Sequence, residues 1–197
     1  MKNKFYLETI KALDGEIYNI DYHQKRYEKV LAAFGVVKVK DLREYLTPPR
    51  KGLYRCRVLY TLNSIDVSYH KYIKRRINTL KLVYDDEIEY SVKSADRKKL
   101  DLLFSKKEFC DDVLIVKKEY VSDTTIANIA FLKNGVWFTP KNALLRGTTR
   151  ERLLYEGKIV EKNILKKDLF TYERVALLNA MIDFDIIPVD NIRNIIC

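Results

Sequence analysis

The chain has 197 residues and a mass of 23.3 kDa, with 47% apolar, 12% aromatic and 32% charged residues. This composition excludes a disordered or low-complexity protein, because the apolar surface is large enough to offset the entropy lost on folding. The apolar runs are too short to cross a bilayer and the first residues lack a signal-peptide core, so we expect a cytosolic (cytoplasmic) protein with no membrane segment. The length suits one compact unit or two small lobes.

The net charge of +10 suits either a nucleic-acid surface or a pocket for small anions. The densest basic cluster, residues 71–76, ends an alternating stretch and is interpreted as a solvated strand end, so no nucleic-acid partner is expected. The three cysteines are an odd number without C-x-x-C spacing. The two histidines have no partners at ligand spacing. We therefore expect neither a disulfide framework nor a metal site.

Residues 1–84 are predicted to form a small, strand-rich N-terminal lobe with one helix. Asp14-Gly15 joins two alternating stretches in a hairpin, because both residues tolerate a positive φ. Asp21 is predicted to cap a helix that ends at Gly35, with His23 on its polar face. Two further strands are expected over residues 53–61 and 65–72.

Residues 85–89 are polar, lie between two apolar stretches and are predicted to link the lobes. Strands and short helices alternate over residues 90–197, the larger C-terminal α/β lobe. Val113–Val116 is a candidate buried strand, and Asn134-Gly135 predicts a second hairpin. Thr148, three residues before a glutamate, predicts a helix start with a capping box. The predicted fold class is α+β.

Motifs of nucleophilic, P-loop or dinucleotide-binding enzymes are missing from the sequence. Three features remain: Lys93 at a predicted strand end, Asp123, and the glycine-threonine entry to a helix at residues 147–149. Helix N-termini bind phosphate through backbone N–H groups and the positive end of the dipole. Taken singly, each feature is a weak indication of function.

Four short motifs follow one another along the chain. Residues 23–26 are H-Q-K-R, Lys93 is followed by a serine, residues 123–128 are D-T-T-I-A-N, and residues 144–150 are L-L-R-G-T-T-R. In this order they resemble the H-x-x-R, lysine, E-x-x-x-x-N and L-L-x-G-x-T-R motifs of class IV aminotransferases. These are the fold-type-IV enzymes that depend on pyridoxal phosphate. The resemblance covers nearly the whole chain and implies their two-lobe fold.

The resemblance implies roles for four of these residues. Lys93 would form the Schiff base with the aldehyde of pyridoxal 5'-phosphate and then move protons as general base and acid. Arg26 would clamp the cofactor phosphate together with the backbone amides and hydroxyls of Thr148 and Thr149. Without the resemblance, Lys93 is a surface lysine, Arg26 is a solvated helix residue, and the threonines only cap a helix.

Asp123 stands where the family has a glutamate against the pyridine nitrogen. A carboxylate there keeps the nitrogen protonated, so that the ring can accept the electron pair left when a bond to Cα breaks. Aspartate is one methylene shorter, so the cofactor must sit closer or a water must bridge. Asn128 is expected to be a hydrogen-bonding residue beside the cofactor.

Other positions indicate which subgroup of the family the chain resembles most. Branched-chain aminotransferases have a tyrosine where this chain has Lys98. Residues 93–97, K-S-A-D-R, are more similar to the K-x-x-N-R of aminodeoxychorismate lyases, with Asp96 in place of asparagine. Asn179-Ala180-Met181 resembles the lyase segment N-[SA]-L, although residues 182–185 make the next segment longer and lack its glycine. The resemblance favours 4-amino-4-deoxychorismate lyase, which releases pyruvate and 4-aminobenzoate for folate biosynthesis.

Two alternatives stay open. One is an aminotransferase acting on D- or branched-chain amino acids, which would use the same cofactor anchors. The other, from a different class, is a non-catalytic basic binding protein, which would hold no cofactor.

A small anionic amino substrate needs a cation. Arg55 and Arg57 point to the same side of a predicted strand, and Arg57 is favoured to bind a substrate carboxylate. The alternative is that both arginines are solvated. The segment Asn179–Met181 is the other predicted substrate contact. Because the family builds its site beside a second subunit, we expect a homodimer.

Overall fold

The structure is a computed structural model that describes residues 4–189 and 191–197. The chain divides into two compact units. The first comprises the described residues up to Lys74 together with Val92–Asp96, and the second comprises Arg75–Ser91 and the described part of Arg97–Cys197. The predicted α+β class is confirmed, with a smaller strand-rich unit and a larger mixed one. Among the described residues, no helix is both long and apolar enough to span a membrane.

The first unit is a four-stranded antiparallel sheet with one α-helix. Its main elements are β1 (Tyr6–Leu13), β2 (Glu16–Ile17), α1 (Ile20–Ala32), β3 (Leu53–Tyr60) and β4 (Ile65–Lys71). The strand order is β2-β1-β3-β4. The predicted hairpin at Asp14-Gly15 is confirmed, and both residues have a positive φ, of 48° and 87°. Alternate β3 residues such as Cys56 and Val58 are fully buried against α1 and β1.

Helix α1 packs on this sheet through Tyr27, Val30 and Leu31. It follows Asn19, which has a left-handed φ of 54°, so the prediction that Asp21 caps the helix is wrong. Asp21 lies inside the first turn, where its negative charge stabilises the helix by interacting with the positive end of the helix dipole. The predicted stop at Gly35 agrees with its φ of 77°.

The second unit contains a five-stranded sheet, ordered β10-β9-β8-β11-β12, and a three-stranded sheet, ordered β5-β6-β7. Its main elements are β5 (Leu80–Tyr84), α2 (Lys98–Phe104), β6 (Asp112–Lys117), β7 (Tyr120–Thr124), β8 (Asn128–Lys133), β9 (Val136–Pro140), α3 (Thr148–Tyr155), β10 (Val160–Lys162), β11 (Arg174–Asn179) and β12 (Asp183–Ile186).

Two of the elements that the sequence predicted here, the buried strand and the second hairpin, are confirmed. Residues 113–116 are fully buried within β6, and Asn134-Gly135 joins β8 to β9 with φ values of 51° and 76°. The main core of the unit includes Leu114, Ile129 and Leu177, so side chains from both sheets share one apolar cluster.

The predicted boundary at residues 85–89 differs from this division. β5 pairs in parallel with β6, which places residues 80–84 in the second unit. Ile88, inside the predicted linker, is fully buried in an apolar cluster with Leu100 and Leu103. Residues 92–96 belong to the first unit, because backbone hydrogen bonds tie them to the start of β1.

Candidate active site

Asp123 and Asn128 face each other across the turn that joins β7 to β8. Thr124 closes the turn, since its N–H donates to the Ala127 carbonyl at 3.0 Å and its hydroxyl oxygen lies 3.1 Å from the Ala127 nitrogen. The Asn128 amide nitrogen thereby reaches Asp123 Oδ1 at 2.8 Å. The D-x-x-x-x-N spacing is therefore the spacing of a hydrogen-bonded pair.

The loop after β9 completes the surroundings of this pair. The Leu145 N–H donates to Asp123 Oδ2 at 3.0 Å, and the Leu145 carbonyl accepts from the Asn128 amide at 2.8 Å. Burial raises the pKa of Asp123 to about 6, although the hydrogen bonds from Leu145 and Asn128 oppose the shift. A carboxylate oxygen accepts more than one hydrogen bond, so Asp123 keeps capacity for a further donor.

Gly147 packs against Asn128 without room for a side chain. A Cβ at this position would lie 2.0 Å from Asn128 Oδ1. The φ of Gly147 is −69°, which any residue adopts, so glycine is required here for space. The L-L-R-G segment thus supplies both the Leu145 backbone groups and the close approach at Gly147.

Helix α3 begins at Thr148, directly after Gly147 as the N-cap residue. The predicted capping box is wrong, because Thr148 is already helical and the Glu151 N–H donates to the Gly147 carbonyl at 2.9 Å. Thr148 and Thr149 are buried in the first turn, whose backbone N–H groups have no partner within a helix. Hydroxyl and N–H donors therefore gather at the positive end of the helix dipole.

Lys93 lies in the short extended segment that belongs to the first unit. Its carbonyl accepts from the Leu7 N–H at 2.9 Å, and Ser94 forms a bridge with Tyr6 of β1. The side chain of Lys93 is half-buried. The sequence predicted a strand end entering a helix, but α2 begins five residues later, at Lys98.

A buried ion network lies on the neighbouring part of β1. Glu8 is fully buried and accepts from Arg26 Nε at 2.8 Å through Oε1 and from the same guanidinium at 2.5 Å through Oε2. His23 Nδ1 lies 2.6 Å from Glu8 Oε2. Because two hydrogen bonds hold the planar guanidinium, the orientation of Arg26 is set by Glu8.

The electrostatics of this network follow from burial and charge. Burial alone would raise the pKa of Glu8, but the Arg26 charge and the hydrogen bonds from His23 and Arg26 lower it to about 2. Burial lowers the pKa of His23, and its hydrogen bond to Glu8 opposes that shift. The positive charges of Arg26 and Lys93 also act on His23. The prediction that His23 sits on a polar face is wrong, since it is 1% exposed.

Arg57 lies on β3 with Arg55, on the face opposite the buried Cys56 and Val58, as predicted. Arg55 is exposed, whereas Arg57 is half-buried. Among the described residues, the guanidinium of Arg57 makes no hydrogen bond or ion pair.

Asn179, Ala180 and Met181 form the connection from β11 to β12. Asn179 Oδ1 accepts from the N–H of Met181 at 2.9 Å and of Ile182 at 3.1 Å, so this side chain stabilises the turn. The amide nitrogen of Asn179 lies 3.3 Å from the Ile126 carbonyl, in the turn between Asp123 and Asn128. The segment lacks the expected glycine, and Asp183 adopts the positive φ of 58° as the chain enters β12.

The candidate residues divide between the two units, and within the first unit Arg57 lies on the face of the sheet opposite Glu8, whose strand partner is the buried Val58. Arg26, Lys93 and Arg57 belong to the first unit, and the remaining candidates belong to the second. Glu8, Leu145 and the buried Arg150 were not predicted to have a role, and Gly147 was predicted only as part of a helix entry. Glu8 offered one signal, an acidic residue at an inward-facing position of an alternating strand.

The residues present fit pyridoxal phosphate chemically. A buried carboxylate at Asp123 with remaining acceptor capacity suits a protonated ring nitrogen. The first turn of α3 and the fixed guanidinium of Arg26 suit a phosphate, and Lys93 supplies a primary amine.

A comparison with protein families matches residues 6–192 to the model described as amino-transferase class IV. The chain belongs to the class IV aminotransferase family. It is therefore an enzyme of a family whose members depend on pyridoxal phosphate and act as aminotransferases or lyases.

Three relatives illustrate the similarity. An uncharacterised protein of Haemophilus influenzae strain Rd is 37% identical over 180 residues, which cover 88% of this chain and 96% of that protein. A crystal structure from Haemophilus somnus 129pt, provisionally named a 4-amino-4-deoxychorismate lyase, is 37% identical with a TM-score of 0.84, covering 92% of this chain and 97% of that chain. A Schizosaccharomyces pombe protein, provisionally named an aminodeoxychorismate lyase, is 45% identical over 75 residues, or 35% of this chain and 32% of that protein.

Proposed function

We propose that the chain binds pyridoxal 5'-phosphate and cleaves 4-amino-4-deoxychorismate to pyruvate and 4-aminobenzoate. The observation that carries the choice of lyase is the 37% identity, over 97% of its length, to the Haemophilus somnus structure of that provisional name. The segment K-S-A-D-R at residues 93–97, which resembles the lyase pattern, supports the same choice.

The cofactor would be held by groups of known geometry within each unit. Lys93 would attach to its aldehyde, and Asp123 would pair with its ring nitrogen. Arg26, oriented by Glu8, and the first turn of α3 at Thr148 and Thr149 would bind its phosphate. When bound, the cofactor withdraws the electron pair released as a bond to the substrate carbon breaks.

Side chains and backbone groups of the protein transfer the proton, orient Asp123 and bind the substrate. The amine of Lys93 removes the proton whose loss lets pyruvate leave, and it acts as a general acid later in the cycle. Asn128 and Leu145 hold Asp123 in place, so that its carboxylate is oriented before the cofactor arrives. Arg57 supplies a guanidinium that is not engaged by other described residues, suited to a carboxylate of the dianionic substrate. The segment Asn179–Met181 contributes to the substrate pocket.

The spectrum of the purified protein, loaded with pyridoxal phosphate and then freed of unbound cofactor, tests cofactor binding. We expect an absorbance band above the protein band and, after borohydride reduction, a mass increase on the peptide that contains Lys93. Lys93→Ala should lose both signals, whereas the control Lys51→Ala, an exposed lysine of the same unit, should keep both. A loaded protein with no modification at Lys93 would contradict the assignment.

The reaction is tested by supplying 4-amino-4-deoxychorismate without any amino acid. Release of pyruvate, lost in Lys93→Ala and retained in Lys51→Ala, supports the lyase. Turnover only with an amino acid and 2-oxo acid pair would instead identify an aminotransferase, the alternative that the family description favours. A protein that shows neither activity nor cofactor binding would be a non-catalytic binding protein.

A further inference from the structure

A cavity of about 500 Å³ opens in the second unit, beside the loop from β9 to α3, and the groups assigned to the cofactor do not line it. It is formed by the segment before Val92, the β6–β7 turn and the loop after β9. Its lining residues are Glu89, Tyr90, Ser91, Lys117, Lys118, Tyr120, Lys141, Asn142, Ala143, Leu144, Arg146 and Arg150. Asp123, Asn128, Thr148 and Thr149 are not among them.

The lining is strongly cationic, since five of its side chains are lysine or arginine and one is a carboxylate. Three of the cations, Lys118, Lys141 and Arg146, make no side-chain hydrogen bond or ion pair with the described residues. Like charges gathered around one cavity repel each other, and a bound anion removes that repulsion.

The other two cations are held in place by the protein. Lys117 Nζ donates to the Ile88 carbonyl and to Glu89, each at 2.7 Å. Arg150 is 1% exposed and donates to the Pro140 carbonyl at 2.9 Å and to Glu161 at 2.6 Å. Its buried Nε has no hydrogen-bond partner among the described residues. The wall of the cavity is therefore ordered before any ligand binds, which lowers the entropic cost of binding.

We propose that this cavity binds a small polyanion, a compound with at least two phosphate or carboxylate charges. Its volume falls within the range of small-molecule sites, and two tyrosines among the lining residues provide apolar surface for the body of such a ligand. Exposed lysines and a forked arginine are the side chains that bind such charges.

The proposal does not depend on the proposed function. It is tested by thermal unfolding with inorganic pyrophosphate or citrate, each at constant ionic strength and with saturating pyridoxal phosphate, which occupies any cofactor cradle. We expect a saturable rise in Tm with at least one of the two anions. Pyrophosphate alone would identify a phosphoryl ligand, and citrate alone would identify a polycarboxylate. The affinity should fall as chloride rises.

The double variant Lys141→Ala/Arg146→Ala removes two of the three unpaired cations. We expect the dissociation constant to rise at least tenfold, because each charge-assisted hydrogen bond contributes appreciably. The control Lys106→Ala/Lys167→Ala removes the same net charge from exposed positions of the same unit and should bind the anion as the wild type does. The proposal is overturned if neither anion raises Tm, if both double variants weaken binding equally, or if saturating pyridoxal phosphate abolishes the effect.

Discussion

At the scale of single residues, two buried carboxylates behave in opposite ways. Glu8 faces cations, and its pKa is lowered to about 2 despite its burial. Asp123 accepts hydrogen bonds from Leu145 and Asn128 and is acted on by the charge of Arg150, but burial outweighs these effects and raises its pKa to about 6. A positive group in direct contact with Asp123 would lower its pKa, and the protonated ring nitrogen of the proposed cofactor is such a group.

The raised pKa of Asp123 predicts a pH-dependent effect of Asp123→Asn in the cofactor-free protein. A carboxyl group with a folded pKa above its unfolded value stabilises the fold at low pH, and this contribution is lost as pH rises through about 6. From about pH 4 to pH 7, we expect the unfolding free energy of the wild type to fall by up to about 3 kcal/mol relative to the variant.

Urea denaturation at a series of pH values measures this difference. Asp66→Asn, at an exposed position of β4, is the matched control and should differ from the wild type by the same amount at every pH. A difference for Asp123→Asn that is equally constant would contradict a raised pKa.

The residues of the candidate site were only partly predictable. Motif spacing identified Asp123 and Asn128 because these two residues are close in sequence and make contact across a short turn. Their partner Leu145 acts through its backbone, which leaves no side-chain signal. His23 was wrongly predicted to lie on a polar helix face, because its carboxylate partner, Glu8, lies on another element, fifteen positions away in sequence.

At the scale of elements, the loop from β9 to α3 contributes both to the cationic cavity and to the surroundings of Asp123. Leu144 and Arg146 line the cationic cavity, while the intervening Leu145 contacts Asp123 and Asn128 through its backbone. Gly147 then permits the close approach to Asn128 before α3 begins. A change in this loop therefore affects both places.

Gly147→Ala is expected to destabilise the protein by about 1–3 kcal/mol, because the added methyl group overlaps Asn128 Oδ1 and forces a well-packed region to shift. In an Asn128→Ala background the overlapping atom is gone, so the same substitution should cost much less. Urea denaturation of the four proteins gives the coupling energy. Equal costs in both backgrounds would show that the glycine is required for another reason.

Turns and strands were predicted well where local chemistry decides them. Both hairpin dipeptides adopt the positive φ values that their residues tolerate. The helix starts were less well predicted, since Asn19 and Gly147 precede the helices in place of Asp21 and Thr148. Several polar residues near a helix start compete for the cap, and packing of the preceding loop decides between them.

At the scale of the whole molecule, we propose a homodimer, as the resemblance to class IV aminotransferases implies. Leu102 and Phe109 of the second unit are large apolar side chains that are more than half exposed, as at surfaces that bind another protein. Sedimentation equilibrium of the active enzyme should give twice the 23.3 kDa of the chain. A fully active monomer would contradict this expectation.

The division into units was predicted less accurately than the elements. Residues 80–84 have the sequence pattern of a strand, and this pattern fits a sheet of either unit. The strand with which they pair, β6, begins only at Asp112. Local periodicity carries no information about which distant strand completes a sheet, so the boundary was placed at the polar stretch instead.

The first unit is assembled from two separate stretches of chain. During translation, this unit is complete only after Asp96 has been synthesised. At that point β5 has already been synthesised, but its parallel neighbour β6 has not. Neither half can be excised as an uninterrupted fragment. Splitting the gene between codons 74 and 75 would leave the proposed reactive lysine on the wrong polypeptide.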